Sequence, residues 1–398
     1  MRVAHLSLKD FRNYVSAELP LKPGPNLLFG KNGQGKTNLV EAIGFFSTLR
    51  SHRVSTDAAM VRGDAPAAIA RMKVAAGDRD VILEAQINRV GANRAQLNGN
   101  PVRARELTRW FSSVLFAPED LTIVRGEPSV RRRFMDDALA ARLPVAGGAL
   151  NDYEKIVKQR TALLKSARTQ PRSAIESTLS VWDEQLVEHG VRIMLARRDL
   201  ITDLETPMRD AYTSLVGADH SPTMRVFESV ADVLEGSSSH RVSRETGVRT
   251  SHASRTIEES LVSRETLTEQ FHEAIQLVRQ REFDRGVTLV GPHRDDILLS
   301  LNSLPVKGYA SHGESWSFAL ALKVGLANVL RAESSAGDPV ILLDDVFAEL
   351  DAGRRERLMH AVSDFEQVIV TSAVREDIPA GLDWHEVQVI AGELVEEA

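Results

Sequence analysis

Polar and apolar positions divide the chain into two kinds of segment. Ala4, Leu6 and Leu8 alternate with polar neighbours, the period of a half-buried strand, and Leu27, Leu28 and Phe29 form the short apolar run of a fully buried one. From Ala68 to Val102 the pattern comes in pieces broken at Gly77, Gly91 and the "NGN" starting at Asn98, which predicts antiparallel hairpins. From about Val130 the period lengthens to that of a helix. Tyr153, Ile156, Val157, Leu163 and Leu164 share one helical face, and Leu186, Ile193 and Leu200 recur every seven residues. The heptad is not sustained, so a short helical arm is expected rather than a long coiled coil. Residues 236–256 are rich in serine, threonine and arginine, with two valines as their only large apolar side chains, and read as a mobile loop. Leu267, Phe271, Ile275 and Val278 mark a last arm helix ending near Gly286, after which "VTLVGPHRDDILLSLNSLPV" returns to strands.

The apolar run at Leu27–Phe29 leads into Gly30, Lys31, Asn32, Gly33, Gln34, Gly35, Lys36 and Thr37, which satisfy G-x-x-x-x-G-K-[ST]; a helical run with Leu39, Val40, Ala42 and Ile43 follows. In a strand–loop–helix of this kind the glycines let backbone N–H groups turn toward phosphate oxygens, and the helix N-terminus adds partial positive charge. Lys36 reaches the β- and γ-phosphates, and the Thr37 hydroxyl is a ligand for Mg²⁺. Far along the chain, "PVILLDDVFAELD" (residues 339–351) reads as a buried parallel strand delivering Asp344 and Asp345 at its C-terminal edge. Asp344 is the candidate partner of the metal beside Thr37. Asp345 is the candidate to orient or deprotonate an attacking water. Before that strand, Ser311, Gly313 and Glu314 open a helix with Phe318, Leu320, Leu322 and Leu326 apolar, a second surface able to bind phosphate or simply a serine-capped helix start.

Composition narrows the function classes. A chain of 398 residues with 43% hydrophobic and 26% charged residues can build more than one core, and no segment approaches the ~18 uninterrupted apolar residues of a membrane span. The absence of cysteine removes disulfides, thiolate metal sites and cysteine nucleophiles, and fits a cytoplasmic protein. A formal charge of −6 means that any binding to DNA must use a local basic surface. Lys155, Lys158 and Lys165, or Arg131, Arg132 and Arg133, could serve; equally, the lysines can lie on a solvated face and the arginines can pair with Asp136 and Asp137. His293, Asp295 and Asp296 in "GPHRDDI" cluster in sequence, but no second ligand block accompanies them, which leaves a structural turn or a nucleotide-coupled loop as the alternative to a metal site.

The order of P-loop, serine–glycine segment, acidic strand and "ELD" resembles the ABC-type ATPase heads of the structural-maintenance-of-chromosomes group. More closely, "LKDFRNY", "GKNGQGKTNLVEAI", "FAPEDLTIVRGEPSVRRRFMD", "GPHRDDI", "HGESWSFALALK" and "ILLDDVFAELD" resemble the RecF recombination-mediator family over residues 8 to 351. The resemblance implies an α/β fold: an ABC-type P-loop ATPase head built from both chain ends (1–125 and 288–398), with a helical arm (126–287) inserted. It implies that ATP and Mg²⁺ are sandwiched in a homodimer, with Lys36 and Thr37 of one subunit facing Ser311 and Gly313 of the other. Asp351 would couple the two sites, and Arg12 and Asn13 would make polar contacts to nucleotide. The implied function is ATP-dependent binding to gapped or junction DNA, assistance to recombinase loading with RecR-like and RecO-like partners, and relevance to replication and the SOS response. Three departures stand out. No glutamine occurs around Pro118, Glu119 and Asp120 at the Q-loop position, Thr371 and Ser372 stand where transporter ATPases place a histidine, and Asp345 replaces the usual glutamate, which fits slow hydrolysis. A transporter ATPase subunit and a metabolic P-loop kinase are the competing classes. The first keeps its motifs closer together, and the second has no use for the Ser311 segment.

Overall fold

The computed structural model describes residues 1–77, 79–167, 171–242, 263–379 and 381–396. The chain begins with β1 (Arg2–Phe11), β2 (Tyr14–Pro20), β3 (Gly24–Phe29), α1 (Lys36–Thr48), β4 (Ala67–Ala76), β5 (Arg79–Asn88), β6 (Arg94–Leu97), β7 (Asn100–Val102), β8 (Ser113–Phe116) and α2 (Leu121–Arg125). Then come α3 (Pro128–Arg142), α4 (Pro144–Ser166), α5 (Arg172–Val216), β9 (Thr223–Phe227), α6 (Ser229–Val242), α7 (Arg264–Arg285) and β10 (Asp296–Leu301). The rest is β11 (Leu304–Pro305), α8 (Val306–Tyr309), α9 (His312–Glu333), β12 (Val340–Asp344), α10 (Ala352–Val362), β13 (Gln367–Ser372), β14 (His385–Ile390) and β15 (Glu393–Glu396). Two compact units result: Met1–Arg125 with Leu204–Thr223 and Ser300–Ala398, and Gly126–Asp203 with Met224–Leu299.

The first unit carries two sheets. One is antiparallel, in the order β2-β1-β4-β5-β6-β7, and its tight turns fall at Gly77, near Gly91 and at Asn98–Gly99, where both φ angles are positive (50° and 79°), as a two-residue hairpin turn demands. Within β1 the expected alternation slips: a register irregularity between Val3 and His5 buries Val3 with Leu6 and Leu8 and leaves Ala4 half-buried. The other sheet has the order β15-β14-β3-β13-β12-β8, parallel except for the edge strand β15. Every residue of β12 and β13 is buried, which is why residues 340–343 and 368–370 are written as apolar runs. Helix α1 packs with both sheets through Leu39, Val40, Ile43 and Phe46 in one core. The buried side chain of Gln367 ties β13 to the antiparallel sheet: it accepts from Val3 N (2.7 Å) and donates to Val3 O and Lys22 O (both 2.9 Å). Leu204–Thr223, placed in the arm on sequence, belongs to this unit. Gly325 of α9 lets the end of α5 come close; a Cβ there would lie 2.8 Å from Met208 N.

The second unit is helical around a core that includes Tyr153, Ile156, Leu186, Ile193, Phe271, Ile275 and Val278. Its one fully buried arginine among the described residues, Arg160, is satisfied on all sides. It bonds Asp183 (2.8 Å), both oxygens of Glu282 (3.0 and 2.6 Å) and Thr288 (3.0 Å). Gly286, at φ +66°, ends α7 as expected. The loop expected over 236–256 is corrected in part: α6 continues as helix to Val242, carried by the packing of Val230, Val233 and Leu234 in this core. Residues 243–256 lie outside the described residues.

Candidate nucleotide-binding site

Strands β3, β13 and β12 are neighbours in the parallel sheet, so the loops after Phe29, Ser372 and Asp344 meet at one edge. The loop after β3 folds as its glycines require. Gly30 has φ +155°, and a Cβ there would strike Val389 O at 2.2 Å; Gly35 has φ +119°, and a Cβ would lie 2.6 Å from Tyr14 Oη. Lys31, Asn32 and Gly33 are exposed, and Lys36 and Gly35 are buried beneath them. Lys36 Nζ arches back over the loop to Gly30 O (2.7 Å) and Lys31 O (3.2 Å). Among the described residues, the N–H groups of Gly33, Gly35, Lys36 and Thr37 have no acceptor, leaving a donor cluster at the start of α1.

The acidic strand closes the site from the other end of the chain. Thr37 Oγ1 donates to Asp344 Oδ1 (3.0 Å), and Thr371 Oγ1 donates to the same oxygen (2.7 Å). The strand stops there. Asp345 turns into the left-handed region (φ +50°), so strand alternation does not set its direction, and its N–H donates to Thr371 Oγ1 (2.9 Å). Burial and the neighbouring Asp344 carboxylate raise the pKa of Asp345, opposed by Lys36. Burial lowers that of Lys36, against the pull of Asp345 and Asp344. A hydroxyl and a carboxylate 3.0 Å apart fit the hard-oxygen donor set that Mg²⁺ takes beside phosphate oxygens and water.

Around the loop stands a polar frame. Asn13 Nδ2 donates to Gln34 O (3.1 Å), Asn38 Nδ2 donates to Asn13 Oδ1 (2.7 Å), and the Gln34 side chain accepts from Ala391 N in the β14–β15 turn. Arg12, at φ +54°, is bound into the protein: Nε and Nη2 donate to Glu41 (2.7 and 2.5 Å) and Nη1 to Ala59 O (2.8 Å). Glu41 has no exposed side-chain surface, and it also accepts from Ser51 Oγ. Sequence reasoning missed this hub. Its signal was one carboxylate inside the otherwise apolar stretch Leu39–Ile43.

The serine segment forms a separate cluster. Ser311 caps α9: Glu314 N donates to its hydroxyl (3.2 Å), while Glu314 Oε2 accepts from Ser311 N (2.8 Å). Asp351 caps α10 by accepting from Arg354 N (2.9 Å) and pairs with Arg354 Nη1 (3.2 Å). Gly313 adjoins the same guanidinium; a Cβ on it would be 2.6 Å from Nη1. Ser311 and Asp351 are exposed. Among the described residues no hydrogen bond or ion pair joins Ser311, Gly313, Glu314 or Asp351 to the loop at Gly30–Thr37. At the Q-loop position, Asp120 is held by Lys323 (3.0 Å) and Ala117 N (2.9 Å).

The remaining candidates resolve within the second unit. Asp296 pairs with Arg131 (2.6 and 2.8 Å), and Asp295 Oδ1 accepts from Ser229 N (2.9 Å). His293 lies between Tyr153 Oη (2.9 Å) and Thr288 O (3.3 Å). The carbonyl requires Nε2–H, so Nδ1 accepts from the tyrosine; burial pushes the imidazole pKa down to about 3 and keeps it neutral. No group of three possible metal ligands occurs among the described residues. Nor, among them, is any helix long and apolar enough to cross a membrane.

A P-loop on a parallel strand, an acidic strand two places along the same sheet and a serine-capped helix define an ATPase head of the ABC type. The family described as RecF/RecN/SMC N terminal domain matches residues 2–391. The DNA replication and repair protein RecF of Clavibacter michiganensis subsp. michiganensis is 51% identical over 397 residues, covering 100% of this chain and 96% of that protein. That of Leifsonia xyli subsp. xyli is 48% identical over 401 residues, with both chains fully covered. Among solved structures, the recombination mediator protein RecF-ATPrS in the RecFOR pathway superposes with a TM-score of 0.84 at 26% identity, covering 100% of this chain and 98% of that one. An SMC head bound to the C-winged helix domain of ScpA shares the fold, with a TM-score of 0.52 at 14% identity and coverage of 100% and 98%. The chain belongs to the RecF family of DNA replication and repair proteins, and the transporter and metabolic-kinase readings fall with that assignment.

Proposed function

We propose that this protein is an ATP-dependent DNA-binding protein of recombinational repair, acting in the cytoplasm beside the nucleoid. It closes as a homodimer around ATP on gapped or junction DNA and assists recombinase loading with RecR-like and RecO-like partners. The observation that carries this reading is the bond between Thr37 and Asp344 (3.0 Å), which joins the two chain ends into one phosphate and metal site while the Ser311 cap stands exposed with, among the described residues, no bond to it. A site split in this way is completed by the Ser311–Gly313 surface of a second subunit, and Asp351, paired with the Arg354 guanidinium that adjoins Gly313, then links one site to the other. The free N–H groups of Gly33, Gly35, Lys36 and Thr37 receive phosphate oxygens, with Lys31, Asn32 and Gln34 shaping the loop and Asn13 bracing it. Thr37 and Asp344 would hold Mg²⁺, which would neutralise charge on the phosphates when bound. Asp345, a carboxylate of raised basicity, accepts the proton of the attacking water or orients it, and its short side chain favours a slow turnover that DNA stimulates. Hydrolysis thus serves as a switch on the dimer.

Light scattering tests the dimer. The mass should double with ATP and Mg²⁺, and Ser311→Arg should keep monomer nucleotide binding but abolish the doubling. A mass that ATP leaves unchanged refutes the sandwich.

A further inference from the structure

The site lacks the two groups that the wider ATPase class sets at the terminal phosphate. The structure shows why the residues at those positions do not serve. Asp120 is taken by Lys323 and Ala117 N. Thr371 is spent on Asp344 and on Asp345 N, and Ser372 Oγ donates to Val374 O (2.8 Å). Among the described residues, His52 near the acidic strand is a polar side chain with no hydrogen bond. His52 lies in the turn after α1 with Nε2 3.8 Å from Asp344 Oδ2; that nitrogen is buried, and neither ring nitrogen has a hydrogen-bond partner among the described residues. Its mount is built from both sides. Ser51 is fixed to Glu41 and accepts from Arg53 N (3.0 Å) and Val54 N (3.1 Å), while Arg53 Nη1 donates to Asn38 (2.9 Å). A buried imidazole nitrogen with no partner costs free energy in the empty protein, and a ligand that supplies the partner recovers it. The donor cluster of the P-loop, joined to Asp344 through Thr37, points to a phosphate chain as that ligand.

We propose that His52 is a positioning residue for the terminal phosphate, its Nε2 donating the hydrogen bond that the Pro118–Asp120 segment and the Thr371–Ser372 strand end do not. The inference rests on the nucleotide site proposed above and adds the means by which the site tells ATP from ADP. The Glu41 hub then gains a purpose, since it holds the turn that presents His52.

Equilibrium titration with fluorescent ATP and ADP analogues, with Mg²⁺, tests this on the full chain. His52→Asn places its amide nitrogen near Nδ1 and cannot reach; His52→Gln places one near Nε2. The Asn variant should lose about tenfold or more in affinity for the ATP analogue and less than about twofold for the ADP analogue, the size of one hydrogen bond to a charged group. The Gln variant should restore most of the ATP preference. An Asn variant with the parental ATP-to-ADP ratio overturns the proposal, as does one that loses both nucleotides equally or unfolds at lower temperature. Lys36→Ala separates the two levels: if it binds both nucleotides as the parent does, the P-loop reading itself has failed, whatever His52 does.

Discussion

Replacing Arg12 by alanine decides whether that residue serves the nucleotide or the frame around it. In the structure its guanidinium makes two bonds to Glu41, whose side chain has no exposed surface, and one to Ala59 O. Removing one partner of a buried ion pair costs about 3–5 kcal/mol, because the other charge is left unpaired in a poorly solvated place. Ser51 still donates to Glu41, and Arg53 stands 3.9 Å away, so the lower end applies. Losing the bond to Ala59 O adds about 1 kcal/mol. A total of about 4 kcal/mol follows. For a unit of this size, with a urea m-value of roughly 3 kcal/mol/M, the unfolding midpoint should fall by about 1 M. Tryptophan fluorescence can follow the transition, since Trp316 is buried in the same unit. The double variant Arg12→Met/Glu41→Leu, which removes both charges, should recover at least half of the loss. A single variant within about 1 kcal/mol of the parent, but weakened in ATP binding, would refute this reasoning and return Arg12 to the nucleotide.

Asp344 and Asp345 should separate in phenotype: Asp345→Asn should bind ATP, hydrolyse it at least about a hundredfold more slowly and form a long-lived dimer, whereas Asp344→Asn should lose tight Mg²⁺-dependent binding; turnover and dimer lifetime measured on both check this. In the nucleotide-free protein Asp345→Asn should also be stabilising at neutral pH. A carboxyl whose folded pKa is raised above 3.8 contributes stability at low pH that is lost as pH rises through the folded value, so the variant's gain in Tm should vanish as pH falls toward 3.8. DNA binding should be stimulated by ATP, indifferent to sequence and steeply weakened by salt, as phosphate contacts that release counterions require; fluorescence anisotropy between about 50 and 200 mM salt is the measurement.

What sequence made readable follows from how local each requirement is. The P-loop needs its glycines and Lys36 on one short loop, so Gly30–Thr37 could be read as a block, and the buried character of β12 was written in four consecutive apolar residues, 340–343. Requirements that reach across the chain were hidden. Nothing near Glu41 announces that Arg12 and Ser51 converge on it, and nothing near Gln34 announces Ala391. Val3 replaces Ala4 on the buried face because of a pairing irregularity with β4, which alternation within β1 does not encode. Asp345 looked like the next residue of a strand, yet its left-handed backbone takes it out of the pleat. His52 was passed over for a related reason: a lone histidine in a polar turn gains meaning only from the carboxylate that folding sets beside it.

Strand β3 lies between β13 and β14, both made from the last part of the chain. While the chain is being synthesised, the strand that carries the P-loop therefore has no sheet neighbour on either side. At about 5–20 residues per second, the wait between Phe29 and Gln367 lasts on the order of half a minute. Throughout it an apolar strand with two unpaired edges is open to wrong pairings. The carbonyl of Val389 that walls Gly30, the turn that holds Gln34 and the carboxylate that meets Thr37 all arrive late as well. A truncated chain thus carries the whole phosphate-binding motif and still cannot assemble the pocket, so nucleotide binding reports that translation has passed Ala391.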